Sequence, residues 1–86
     1  MKNNILKSRE FLQIFDLVST EGIKSEGKYE FQGMNAWHDF DGYTCWLSYK
    51  DLTVTLLFHG KLGVEYENVD TFDEFYKKIN ALIALS

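Results

Sequence analysis

Asp41-Gly42, set between alternating flanks in Phe40-Asp41-Gly42-Tyr43, is the feature that most restricts what this chain can fold into. A type I′ hairpin turn needs φ > 0 at both central positions, which Gly adopts freely and Asp better than most residues. Such a turn fixes a register, and the register decides which side chains share a face. With Asp41-Gly42 as a two-residue loop, Phe40 lies opposite Tyr43, His38 opposite Cys45, Ala36 opposite Leu47 and Met34 opposite Tyr49. Lys50-Asp51 then reads as a second two-residue connection. It pairs Tyr49 with Leu52, Leu47 with Val54, Cys45 with Leu56 and Tyr43 with Phe58. These residues form one nearly continuous apolar surface, which is assigned to the core.

The rest of the chain frames this meander. Residues 4 to 21 read as an amphipathic helix with Ile5, Phe11, Leu12, Ile14, Phe15, Leu17 and Val18 on its apolar face. Gly22 is expected as the left-handed residue that ends it, with Ile23 making the apolar contact of a Schellman cap back to Val18. Residues 28 to 40 look extended with a break of phase, for which a bulge at Gly33 is the expected device. Strands are expected from Tyr43 to Tyr49 and from Leu52 to His59. Gly60-Lys61 suits a type II′ loop pairing His59 with Leu62, and a bulge at Gly63 would return Val64 and Tyr66 to the core side. Thr71 and Glu74 form a Thr-x-x-Glu capping box, followed by Phe72, Phe75, Tyr76, Ile79, Leu82 and Ile83 at helical spacing. The order α-β-β-β-β-α predicts an α+β fold: a four-stranded antiparallel meander sheet with the N- and C-terminal helices packed on one face. The 86 residues carry no linker, repeat or low-complexity stretch and read as a single domain, 1-86.

The other parity of the sheet holds Asn35, Trp37, Asp39, Thr44, Trp46, Ser48, Thr53, Thr55, Leu57 and His59. Threonines suit a wet face, whereas two tryptophans and a leucine are a surplus there. Trp37 and Trp46 should be direct cross-strand neighbours with Thr55 beside them. This surplus has two readings. One is local sheet stabilisation, or cover by a chain terminus. The other is an interaction surface, with Trp37, Trp46, Thr55, Leu57, His59 and Asp39 as its candidate residues.

Chemistry finds little footing. Asp39-Phe40-Asp41-Gly42 superficially resembles a calcium loop, but Gly42 falls at position four instead of six and Lys50 stands where the bidentate Glu belongs. His38 and His59 lie on opposite parities, so they should diverge and leave no zinc set; His38 reads as a core histidine. Cys45 sits mid-strand on the apolar parity, where a thiol is inert, despite its neighbour His38. No phosphate loop is present. The chain is therefore expected to be non-enzymatic and to need no cofactor or metal.

A net charge of −4, with nine scattered Lys and Arg, argues against nucleic acid. Glu65, Glu67, Asp70, Asp73 and Glu74 form an acidic run, read as a solvated edge plus a helix start, or as a docking patch for a basic partner. No membrane segment or signal peptide is visible, and a single cysteine suits a reducing compartment, so the cytoplasm is expected.

The Asp39-Phe40-Asp41-Gly42-Tyr43-Thr44 stretch, followed by Val54-Thr55-Leu56 and Phe58-His59, resembles a family of short uncharacterised gammaproteobacterial proteins filed as a domain of unknown function. The resemblance covers most of the chain. It implies a one-domain bacterial cytoplasmic protein and brings no activity, cofactor or site residue. Two functions stay open. The first is a non-catalytic interaction module, self-associating as a homodimer, or binding another protein, through the face of Trp37 and Trp46. The second is a small-ligand or regulatory binding domain using the same face.

Overall fold

The computed structural model describes residues 6–57 and 59–85. It is an α+β fold in which a helix α1 (Ser8–Glu21) precedes six strands and a helix α2 (Val69–Leu85) follows them. The strands are β1 (Ile23–Ser25), β2 (Lys28–Phe31), β3 (Met34–His38), β4 (Cys45–Tyr49), β5 (Leu52–Leu56) and β6 (Leu62–Glu65). They form one antiparallel sheet in sequential order, six strands where four were expected.

The two additional strands come from turns that the sequence disguises. Gln32 and Gly33 stand at φ 52° and 85°, and Glu26 and Gly27 at 53° and 81°, the pattern of type I′ turns. Gly33 is thus the second residue of a tight turn and not a bulge. That turn pairs Phe31 with Met34 and Tyr29 with Ala36, so both apolar sets do reach one face. Glu30 secures the turn by accepting the Gly33 N–H at 2.9 Å.

The central registers are those expected. Met34 pairs with Tyr49, Ala36 with Leu47, His38 with Cys45, Leu47 with Val54 and Cys45 with Leu56. The loop at Asp41-Gly42 differs, however. Gly42 N–H donates to Asp39 O at 3.1 Å and Asp39 N–H to Thr44 O at 3.1 Å, so Phe40 and Asp41 are the central turn residues. Asp39 Oδ1 also accepts the Thr44 N–H, at 3.3 Å. The strands therefore stop at His38 and Cys45, and Phe40 and Tyr43 are exposed loop residues, not core. The expected pairing of Tyr43 with Phe58 falls partly outside the described residues.

The third hairpin also corrects the expectation. Leu56 pairs with Leu62 and Val54 with Val64. Leu57 N–H donates to Lys61 O at 2.9 Å, Gly60 N–H donates to Leu57 O at 2.8 Å, and Gly60 sits at φ 87°. This is the three-residue loop with a left-handed third residue. His59 is in that loop, so it neither extends β5 nor pairs with Leu62. No bulge at Gly63 is needed to put Val64 on the core parity, yet the expected burial does not follow: Val64 and Tyr66 are 37% and 44% exposed.

One core joins the sheet to both helices. Phe11, Ile14 and Val18 of α1 and Phe75 and Ile79 of α2 pack with Met34, Ala36, Leu47, Leu52, Val54 and Leu56. Helix α1 starts with Glu10 Oε1 accepting the Lys7 N–H at 3.0 Å. It ends without a Schellman cap. Gly22 is extended at φ −85°, ψ 177°, its N–H donates to Val18 O at 2.9 Å, and Ile23 is exposed. The chain passes straight from α1 into β1.

Helix α2 begins two residues before Thr71, so the Thr71/Glu74 capping box does not form. Asn68 caps instead, its side chain accepting the Asp70 N–H at 2.8 Å. The neighbouring turn supplies further anchors. Asp51 Oδ2 accepts the backbone N–H groups of Glu67 and Asn68, both at 2.8 Å, and Lys50 Nζ pairs with Glu74 at 2.8 Å. The buried Thr71 hydroxyl also bonds Asp51 and, with those two amides, holds its pKa down at about 2 against an ordinary 3.8.

Ionised Asp51 therefore favours the folded chain fully above its unfolded pKa. That contribution is lost as pH falls from about 3.8 towards 2. An Asp51→Asn variant is expected to melt lower than wild type at neutral pH, with the gap closing across that window. Melts in which the gap stays constant between neutral pH and pH 2 would contradict the role of the charge.

Candidate functional site

The outer face of the sheet is built from the strand parity that the helices do not cover. Asn35, Trp37, Trp46, Ser48, Thr53 and Thr55 are all half-buried there. Trp37 pairs directly with Trp46, and Trp46 with Thr55. The indole rings stack with centroids 5.8 Å apart and planes 13° from parallel. Lys28, on the next strand, sets Nζ 4.4 Å from the Trp37 ring centroid, a cation–π contact. Two stacked rings at the middle of a pleated surface of small hydroxyl and amide side chains make a half-buried apolar patch. It costs little conformational entropy to present, because each ring already holds the other.

Of the six candidate residues, Trp37, Trp46 and Thr55 come together. Asp39 lies beyond the end of β3, where its carboxylate fixes the β3–β4 loop by accepting the Thr44 N–H. Leu57 follows β5 and is 37% exposed, at the edge of the face. His59 lies in the β5–β6 loop, beyond the end of β5, and is exposed.

A second apolar feature was not legible in advance. At the end of the sheet where β3 stops, α1 and the β3–β4 and β5–β6 loops enclose an open groove of about 320 Å³. Its walls include Ser8, Leu12, Tyr43, Cys45, Leu56 and Leu57. Beside it Phe40 is fully exposed (102%), while Tyr43 is 66% and Leu12 51% exposed. Its sequence signal is the pair of large apolar residues flanking Asp41-Gly42, which a four-residue loop would expose.

The remaining polar groups are engaged structurally. His38 is exposed at its strand end, not in the core, and Nδ1 donates to Asp39 O at 2.8 Å. Cys45 is half-buried, and burial first, then the negative charge of Asp39, push its thiol pKa up, away from the reactive thiolate. Among the described residues no group of three or more His, Cys, Asp or Glu is placed to hold a metal ion. Nor, among them, is any helix long and apolar enough to cross a membrane.

The chain belongs to the family described as a protein of unknown function (DUF3081), which it matches over residues 6–86. No curated protein and no solved structure matches it.

Proposed function

We propose that this chain is a non-catalytic protein-interaction module that self-associates as a homodimer through the sheet face bearing Trp37 and Trp46. The observation that carries this reading is the stacked Trp37–Trp46 pair on the parity left open by both helices. Trp is enriched among residues that dominate binding energy, and a preformed stacked pair loses little freedom on docking. A two-fold axis near the pair would bring four indoles together, the self-complementary contact that a homodimer requires. The raised thiol pKa of Cys45 and the backbone engagement of His38 support a non-enzymatic role without cofactor or metal. An acidic chain with dispersed bases supports a protein partner over nucleic acid or membrane. One cysteine fits a bacterial cytoplasm.

Dilution tests the reading. Tryptophan emission is expected to shift to longer wavelength as a dimer dissociates and water reaches the indoles. An emission maximum independent of concentration, together with monomer mass throughout, would contradict it. A shift only on adding a flat aromatic ligand would favour the small-ligand or regulatory alternative on the same face.

A further inference from the structure

We propose that the groove at the end of the sheet receives the Phe40 ring of a second copy of this chain, each copy giving one ring and taking one. The contact is separate from the sheet face and does not rest on the reading given for it. Phe40 stands fully exposed at the tip of the β3–β4 loop, an expensive place for a large ring, while Gly42 and Tyr43 of the same loop line the groove. Projection and receptor thus belong to one patch. A two-fold axis beside the loop engages both at once and closes the contact, as an isologous interface requires.

Size and polarity agree with that occupant. The groove's volume of about 320 Å³ is roughly twice the ~150 Å³ cavity that holds a benzene ring, so a phenyl group enters with room for its backbone. Leu12, Leu56, Leu57 and the Tyr43 ring give apolar walls, with the Ser8 and Tyr43 hydroxyls and the Cys45 thiol as the polar side-chain groups among the lining residues. Charge is complementary too. Exposed Asp41 rides beside Phe40, while Lys7 and Arg9 flank the wall residue Ser8 and Lys61 follows Gly60, all exposed. Acid on the projecting loop would meet base around the receiving groove.

Two rings, each burying ~150–250 Å² and covering a similar area of wall, account for roughly 600–1,000 Å². This falls short of the ~1,200–2,000 Å² of stable complexes, so the contact is weak and concentration-dependent.

The test mixes equal amounts of ¹³C-labelled and unlabelled protein and records isotope-filtered NOEs at high concentration. Cross-peaks are expected from the Phe40 ring of one copy to the Leu12, Leu56 and Leu57 methyls of the other. They should vanish in Phe40→Ser, whose site is too exposed to affect folding, and persist in Trp37→Ser/Trp46→Ser. Mixing Phe40→Ser, which keeps the groove, with Leu12→Glu, which keeps the ring, should restore them in one direction only. Absence of intermolecular peaks at the highest attainable concentration would overturn the proposal. So would peaks to the groove methyls from any other residue. Either failure leaves the sheet-face reading standing, because that reading rests on Trp37 and Trp46, neither of which lines the groove.

Discussion

Gly22→Ala is expected to cost about 3 kcal/mol of folding stability, although Gly22 adopts a backbone conformation open to any residue. An added Cβ would lie 2.4 Å from Val18 O and 2.5 Å from Glu30 O. Both are backbone atoms, one in α1 and one in β2, so neither can rotate away. The methyl must push the helix from the sheet at the point where the chain passes between them. For a chain of this size, total stability is roughly 4–13 kcal/mol, so the loss is a large share. Urea titration of both proteins checks it. A loss under about 0.5 kcal/mol, the ordinary surface range, would mean that the helix–strand junction is looser than described.

Phe75→Ala is expected to cost about 3–5 kcal/mol, a large share of the roughly 4–13 kcal/mol that holds the chain folded. Phe75 is fully buried and is the large ring by which α2 enters the common core, 6.1 Å from the Tyr49 ring. Truncation opens a cavity between helix and sheet that the Lys50–Glu74 pair outside cannot close. Calorimetry should show a much lower melting temperature. An unchanged one would place α2's anchor elsewhere.

The registers of the two central hairpins were legible because they rest on parity. Met34, Ala36, Leu47, Val54 and Leu56 can share a face in only one alignment, and that alignment stands. Loop lengths were not legible. A four-residue loop over 40–43 and a two-residue turn at Asp41-Gly42 give the same pairing of His38 with Cys45. Parity therefore cannot separate them, although only the longer loop exposes Phe40. The hairpin at Gln32-Gly33 is hidden in the sequence because Gln rarely adopts φ > 0, and an unpaired bulge explains the same change of phase. The anchoring of α2 by Asp51 depends on two segments meeting in space. Thr71 has the spacing to Glu74 that a cap requires, yet Asn68 stands three residues earlier and takes the role.

The Trp37–Trp46 neighbours were legible from the same parity, and their stacking follows from direct cross-strand pairing. The groove was not, since it is made by loop ends that parity assigned to the core.

Sedimentation of wild type and Trp37→Ser/Trp46→Ser across a wide concentration range, with thermal melts on the same samples, tests the sheet-face interface most directly. The expected result is a double mutant that stays folded, loses only the roughly 0.2–1 kcal/mol of a cross-strand aromatic pair, and no longer forms the wild-type dimer. Equal mass for both proteins at every concentration, with the melting temperature alone reduced, would contradict it: the two tryptophans would then serve only the sheet that carries them.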